Sequence, residues 1–159
     1  MAVPVAADED YPKVIGRNAW KSQPPKFRKP MDTPVGDVVY TETDTKPCFT
    51  KQECIKRVQQ IQRYHMEAKG MPDIQHNFLI GGDGNIYVGR GWWTEGPEYP
   101  KNHKIPKEMT GKSVEVAFIG EYKDNDPTPE MIEATKRLIR FGLENRVLDV
   151  TKSQKKSTS

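Results

Sequence analysis

The chain has 159 residues, with 25 Lys plus Arg against 22 Asp plus Glu, and that length reads most economically as one domain. A hydrophobic share of 35% allows a core of modest size, and the basic excess is concentrated in Lys152, Lys155 and Lys156, so the body before them is electrically balanced. The balance argues against a nucleic-acid-binding face, and no apolar run approaches the roughly 18 residues of a membrane span.

Residues 1–12 are small, acidic and Pro-containing, and residues 151–159 (TKSQKKSTS) offer no apolar side chain to offset ordering entropy. Both are expected to be flexible tails around a folded domain over 13–150. Asp8, Glu9 and Asp10, with neither a basic nor an apolar stretch beside them, do not read as a signal peptide. The chain is then expected to be either cytoplasmic, or an ectodomain or isoform whose export signal lies elsewhere. Pro24, Pro25, Pro30 and Pro34, with the basic run Lys26-Phe27-Arg28-Lys29, make residues 21–36 an irregular, extended approach.

Val38–Tyr40 reads as a first strand. Thr50 with Glu53 three residues on is a capping box. Ile55, Val58, Ile61 and Tyr64/His65 then recur at three-and-four spacing until Gly70, which predicts a helix over about 50–69. Asn77–Ile80 and Ile86–Val88 flank Gly81-Gly82-Asp83-Gly84, residues that tolerate the positive φ of a tight turn, and together predict a hairpin. Residues 92–113 form a long excursion of a kind that often carries function. A third apolar run, Val114–Ile119, completes the strands. Thr128 as N-cap, Pro129 at the first helical position and the stripe Met131, Ile132, Thr135, Leu138, Ile139, Gly142 and Leu143 predict a second helix. Strand, helix, hairpin, strand, helix implies an α/β fold with a mixed central sheet flanked by helices.

The residues offer little conventional catalytic chemistry. Of three histidines, His65 lies inside the first helix and reads as a hydrogen-bonded structural group, His103 sits in a basic patch, and His76, opening a strand, is the one expected to face a cleft. No His-x-x-x-His or His-Glu-x-x-His pair points to a metal. There is no Gly-x-Ser-x-Gly elbow and no phosphate-cradling loop. The pairs Glu95/Glu98 and Glu115/Glu121 read as solvated surface acids. Cys48 and Cys54 are either two reduced thiols or one local bridge. Tyr87-Val88-Gly89-Arg90-Gly91-Trp92-Trp93 combines flat rings with a forked donor, which suits sugars and carboxylate-bearing peptides, or else forms an aromatic core cluster at the hairpin end.

Asp73-Ile74-x-x-Asn77-Phe78-Leu79-Ile80-Gly81-Gly82-Asp83-Gly84-Asn85-Ile86-Tyr87-x-Gly89-Arg90-Gly91-Trp92 resembles the central signature of the animal peptidoglycan recognition proteins, especially those of insects. Arg17-x-x-Trp20 before Pro24-Pro25, Pro34-Val35, Cys48 and Cys54 around a helix start, Gln60 through Tyr64-His65-Met66, and Phe118-Ile119-Gly120 agree in order, so the likeness runs from about Val14 to Val150. It implies the zinc N-acetylmuramoyl-L-alanine amidase fold, a groove for muramyl peptide, and a Cys48–Cys54 disulfide.

Departures from the pattern set the functional expectation. Thr41, Glu42 and Thr43 stand where amidase members carry His-His-Thr, whose first His is a zinc ligand, and His76 stands where they carry a catalytic Tyr. The other ligands belong to a segment after the second helix, where this chain has its Lys/Ser/Thr tail. Metal-assisted hydrolysis needs the ion to acidify water, so neither a metal, a cofactor nor amidase activity is expected. Gly96-Pro97-Glu98 replaces the family's Gly-Ala-His, and Trp93-Thr94 fits neither usual stem-sorting pair.

The resemblance therefore implies a non-catalytic module of innate immune recognition or signalling, extracellular or in an ectodomain, with weak or lost binding of peptidoglycan fragments. Thr43, His76, Arg90, Gly91, Trp92, Trp93, Thr94 and Glu98 are its candidate ligand contacts. Its partners are expected to be immune receptors, other family members or a second copy, because a domain lacking its last family segment leaves apolar surface bare. The alternatives are a binding receptor proper, or an amidase completed by ligands from outside the chain.

Overall fold

The computed structural model describes residues 12–97 and 105–150. Apart from Pro12, the tails expected at 1–12 and 151–159 lie outside the described residues, as do Glu98 and His103. The strands are β1 (Val14–Ile15), β2 (Asp37–Glu42), β3 (Phe78–Ile80), β4 (Ile86–Val88) and β5 (Ser113–Phe118), and the α-helices are α1 (Lys51–Arg63) and α2 (Pro129–Glu144). They form one mixed sheet in the order β1-β4-β3-β5-β2, antiparallel only between β3 and β4.

Local chemistry explains where the elements begin. The Thr50 hydroxyl accepts from Glu53 N–H at 3.1 Å, and the Glu53 carboxylate reaches back to Phe49 N–H at 2.7 Å, so orphan donors at the α1 start are satisfied. Thr128 accepts from Met131 N–H at 3.3 Å, with Pro129 opening α2. Between β3 and β4 the chain reverses through Gly84 at φ +80°, and the Asp83 carboxylate takes Asn85 N–H at 3.1 Å. The helix expected over 50–69 is α1 continued by a π-helical turn, Tyr64–Ala68. β1 lies beyond the expected strands; it pairs in parallel with β4, Val14 opposite Ile86.

Strand alternation distributes side chains to two cores, one on each face of the sheet. Phe78, Ile80, Ile86, Val114 and Val116 meet Met131, Ala134 and Leu138 of α2. Leu79, Tyr87 and Ala117 meet Cys54, Val58 and Ile61 of α1, with Trp20 and Ile74 closing that layer. Because β5 is covered on both sides, its first five residues are all buried. By the same alternation Glu115 shares the α1 face with Ala117, and Thr41, opposite Ala117 in register, projects to that face too.

Cys48 and Cys54 form the disulfide implied by the resemblance, with an S–S distance of 2.05 Å. It ties the loop before α1 to the helix's first turn, against the hairpin at Gly81.

Candidate functional site

A groove of about 790 Å³ opens on the α1 side of the sheet. One wall is the segment Thr41–Lys46 leaving the end of β2; the other is the last turns of α1 and the π-helical turn; Gln75, His76 and Glu115 make the floor. The widened turn, closed by Lys69 N–H to Tyr64 C=O at 3.2 Å, carries His65 into the groove lining. Both His65 and His76 therefore line the groove, which corrects the expectation that His76 alone faces a cleft.

The floor is held from several directions. Asp73, 2% exposed, receives the Arg17 guanidinium through two bonds of 2.9 and 3.0 Å, Gln62 Nε2 at 3.0 Å and its neighbour Ile74 N–H at 2.8 Å. The N-terminal segment, α1 and the approach to His76 are thereby locked together. Asn77 then binds outward: its Oδ1 accepts from Glu115 N–H at 2.8 Å, and its Nδ2 donates to Gly91 C=O at 2.9 Å and Thr94 C=O at 3.0 Å. Gly89 is required at its position, since a Cβ there would lie 2.1 Å from the His76 carbonyl oxygen.

Glu115 is the centre of this floor. It is 1% exposed and bonded to His76 Nδ1, to the Thr41 hydroxyl at 2.7 Å and to Gln75 Nε2 at 3.1 Å. The expectation of a solvated surface acid is thus overturned: a carboxylate on a strand covered on both faces has no water to meet and must be paired. Burial by itself would raise its carboxyl, but the His76 imidazole and the bonds from His76, Thr41 and Gln75 outweigh burial and hold it at about 2. His65 is lowered as well, to about 3, but here burial is the leading cause, followed by the neighbouring His76 and Lys69. Its Nδ1 accepts from Gln75 N–H at 2.9 Å, and its ring meets that of His76 edge-on, centroids 5.3 Å apart.

This donor set does not suit a zinc ion. A neutral imidazole that accepts at Nδ1 carries its proton on Nε2, so His65 has no lone pair left to give. His76 Nδ1 is committed to Glu115, which leaves His76 Nε2 as the one imidazole lone pair on offer, and Thr41 has only a hydroxyl already donated to that carboxylate, so the set falls short of the three protein ligands zinc needs. Among the described residues no group of three or more His, Cys, Asp or Glu is disposed to hold a metal.

Of the remaining expected contacts among the described residues, Thr43 lines the groove while Arg90, Gly91, Trp92, Trp93 and Thr94 are not in its lining. Trp92 is 5% exposed, packed on Phe78 with ring centroids 4.9 Å apart and against Gly142 of α2. The Arg90 guanidinium is turned inward, donating to Ile74 C=O at 2.7 Å and Glu95 C=O at 2.8 Å, where it pins two loops. Gly91, at φ +74°, turns the chain between them. Of the two readings of this stretch, the burial of Trp92 fits the aromatic core cluster. Trp93 is 60% exposed, and Thr94 bridges Pro30. Thr43 lines the groove, its hydroxyl 2.7 Å from that of Thr45 and accepting from Gly120 N–H at 3.0 Å. Reasoning from sequence missed Glu115 and the groove-facing role of His65; the charge interrupting Val114-Glu115-Val116 was the available signal.

The family model for N-acetylmuramoyl-L-alanine amidase matches residues 33–155. Peptidoglycan-recognition protein LC of Drosophila melanogaster is 36% identical over 132 residues, which is 82% of this chain and 24% of that protein. Peptidoglycan-recognition protein 2 of Holotrichia diomphalia is 31% identical over 140 residues, 88% of this chain and 71% of that protein. The chain thus spans about a quarter of the length of the first relative and more than two thirds of the second. A solved structure of peptidoglycan recognition protein-LE in complex with tracheal cytotoxin, a monomeric diaminopimelic acid-type peptidoglycan, superposes with a TM-score of 0.78 at 31% identity, covering 86% of this chain and 76% of that one. With a family model over most of the sequence and relatives at this identity over most of its length, the chain belongs to the peptidoglycan recognition protein family, on the N-acetylmuramoyl-L-alanine amidase domain.

Proposed function

We propose that this chain is a non-catalytic peptidoglycan recognition module of innate immunity, whose groove meets muramyl peptide weakly and which acts through contact with other immune proteins. Family membership supports the peptidoglycan-recognition role. The observation that carries the non-catalytic reading is the circuit of the groove floor, in which the Thr41 hydroxyl, His76 Nδ1 and the Gln75 side-chain amide all engage Glu115 and only His76 Nε2 is left to a metal. Nor does that circuit make a metal-free hydrolase. The Thr41 hydroxyl donates to a carboxylate held at about 2, too weak a base to activate it, and to no imidazole. Thr43 and His76 are the family-matched positions that remain in the groove lining and are assigned here to ligand contact.

The test is to measure bound metal and muropeptide turnover on one purified sample. We expect substoichiometric zinc and no released stem peptide; zinc near one per chain together with cleavage would sink the proposal. The second reading, a binding receptor proper, is favoured by the open groove and by the ligand complex of the protein-LE relative. Titration calorimetry separates the two, because micromolar affinity that His76→Ala removes would make the chain a receptor.

A further inference from the structure

Two imidazoles side by side in the groove, each with one nitrogen engaged, leave two nitrogens to account for. His65 Nδ1 accepts from the backbone of Gln75, so the single proton of that neutral ring is on Nε2. His76 Nδ1 faces a carboxylate that can only accept, so a single proton on that ring is on Nδ1 and its Nε2 is a bare lone pair. Neither Nε2 has a hydrogen-bond partner among the described residues, and neither is sealed from solvent, although the two residues are only 7% and 4% exposed. Both therefore open on the groove, one as a donor and one as an acceptor.

We infer that His65 and His76 form a two-point subsite for a primary carboxamide, with His65 Nε2–H bonding the amide oxygen and His76 Nε2 receiving the amide N–H. The inference rests on the groove being a recognition site and names what that site distinguishes: an amidated peptide over the same peptide with a free carboxylate. The acid offers acceptors at both points, so it leaves His76 Nε2 facing a lone pair. Ring centroids 5.3 Å apart put the two imidazoles close enough for one small planar group to bridge them. The groove's net charge does not override this selection, because Lys46, Arg57 and Lys69 are matched by Glu42, Asp44 and the floor carboxylate of Glu115 across an opening screened by salt. Glu115 is the positioning residue, since it decides which His76 nitrogen carries the proton.

The experiment has two arms on the intact chain at pH 7.5. Nitrogen-15 spectra of the histidine side chains should show His65 protonated at Nε2 and His76 at Nδ1; a proton on His76 Nε2 would overturn the assignment without any ligand. Titrations with N-acetylmuramyl-L-alanyl-D-isoglutamine and with its free D-glutamate counterpart should then move both Nε2 resonances, with the amide binding about tenfold or more tightly. Equal affinity, preference for the acid, or no movement of these resonances at millimolar amide would each refute the subsite. Glu115→Gln can donate to His76 Nδ1 and so should move the ring proton to Nε2, erasing or reversing the preference; an unchanged preference in a folded variant would also count against it. Bound zinc with cleavage would defeat the non-catalytic reading and leave these proton positions as a separate result.

Discussion

Trp92 and Trp93 are adjacent in sequence and opposite in fate, which makes them the sharpest probe of how this domain is built. Trp92→Ala removes a ring that is 5% exposed, lies against Phe78 and packs so closely on α2 that a Cβ at Gly142 would come within 2.6 Å of it. Truncating a buried aromatic of this kind costs about 3–5 kcal/mol, from lost transfer free energy plus the cavity left behind. Against a total stability of about 5–15 kcal/mol, that is a large fraction. For a domain of this size it corresponds to a fall in Tm of roughly 6–20 °C. Trp93→Ala, at 60% exposed, should stay within about 0.5 kcal/mol of the parent. Calorimetric melts of the two variants against the parent are the assay. If Trp92→Ala melted with the parent while losing affinity for muropeptide, the ring would be a ligand surface after all and the core assignment would be wrong.

Acid should weaken the fold in two stages of the same sign. His65 falls from 6.5 to about 3 on folding, so between those values the unfolded chain holds a proton that the folded one lacks, and stability drops as pH falls. Glu115 falls from 4.5 to about 2 and adds a further loss below pH 4.5. A series of urea midpoints should show His65→Gln flattening the slope from pH 6.5 to 4.5; a slope identical to the parent's would refute the burial argument. Replacing both Cys48 and Cys54 by Ser opens a bridge spanning a sequence separation of 6, and should cost about 2 kcal/mol by the chain-entropy relation. An unchanged urea midpoint would show that the helix start is held by its caps alone.

Much of the scaffold could be read from local chemistry, because its signals lie within a few residues of one another. Thr50 with Glu53, Thr128 with Pro129, and the glycines around Asp83 each act on their own backbone, and each element starts or turns where they stand. β1 could not be read this way, since two residues have no periodicity; it exists because β4 offers an edge. The groove floor was illegible for a different reason. Glu115 meets His76 across 39 residues and Thr41 across 74, through strand register and not through sequence spacing. What could have been read was a constraint: Ser113–Phe118 runs through the middle of a sheet covered on both faces, so a carboxylate there needed partners. The division between Trp92 and Trp93 was equally hidden, because outside a strand no alternation tells neighbouring rings which way to point.

β2 stands at the rim of the sheet, with β5 as its single strand neighbour among the described residues. One bank of the groove hangs from that rim, while its bed is rooted in β5 and the run into β3, at the centre of the layer. At its far end the same bank is pinned to the opposite wall, where Arg57 of α1 donates to the Lys46 and Pro47 carbonyls and Cys48 is bridged to Cys54. An arch held at both feet resists spreading, so the width of the mouth is set by the fold and not by the guest.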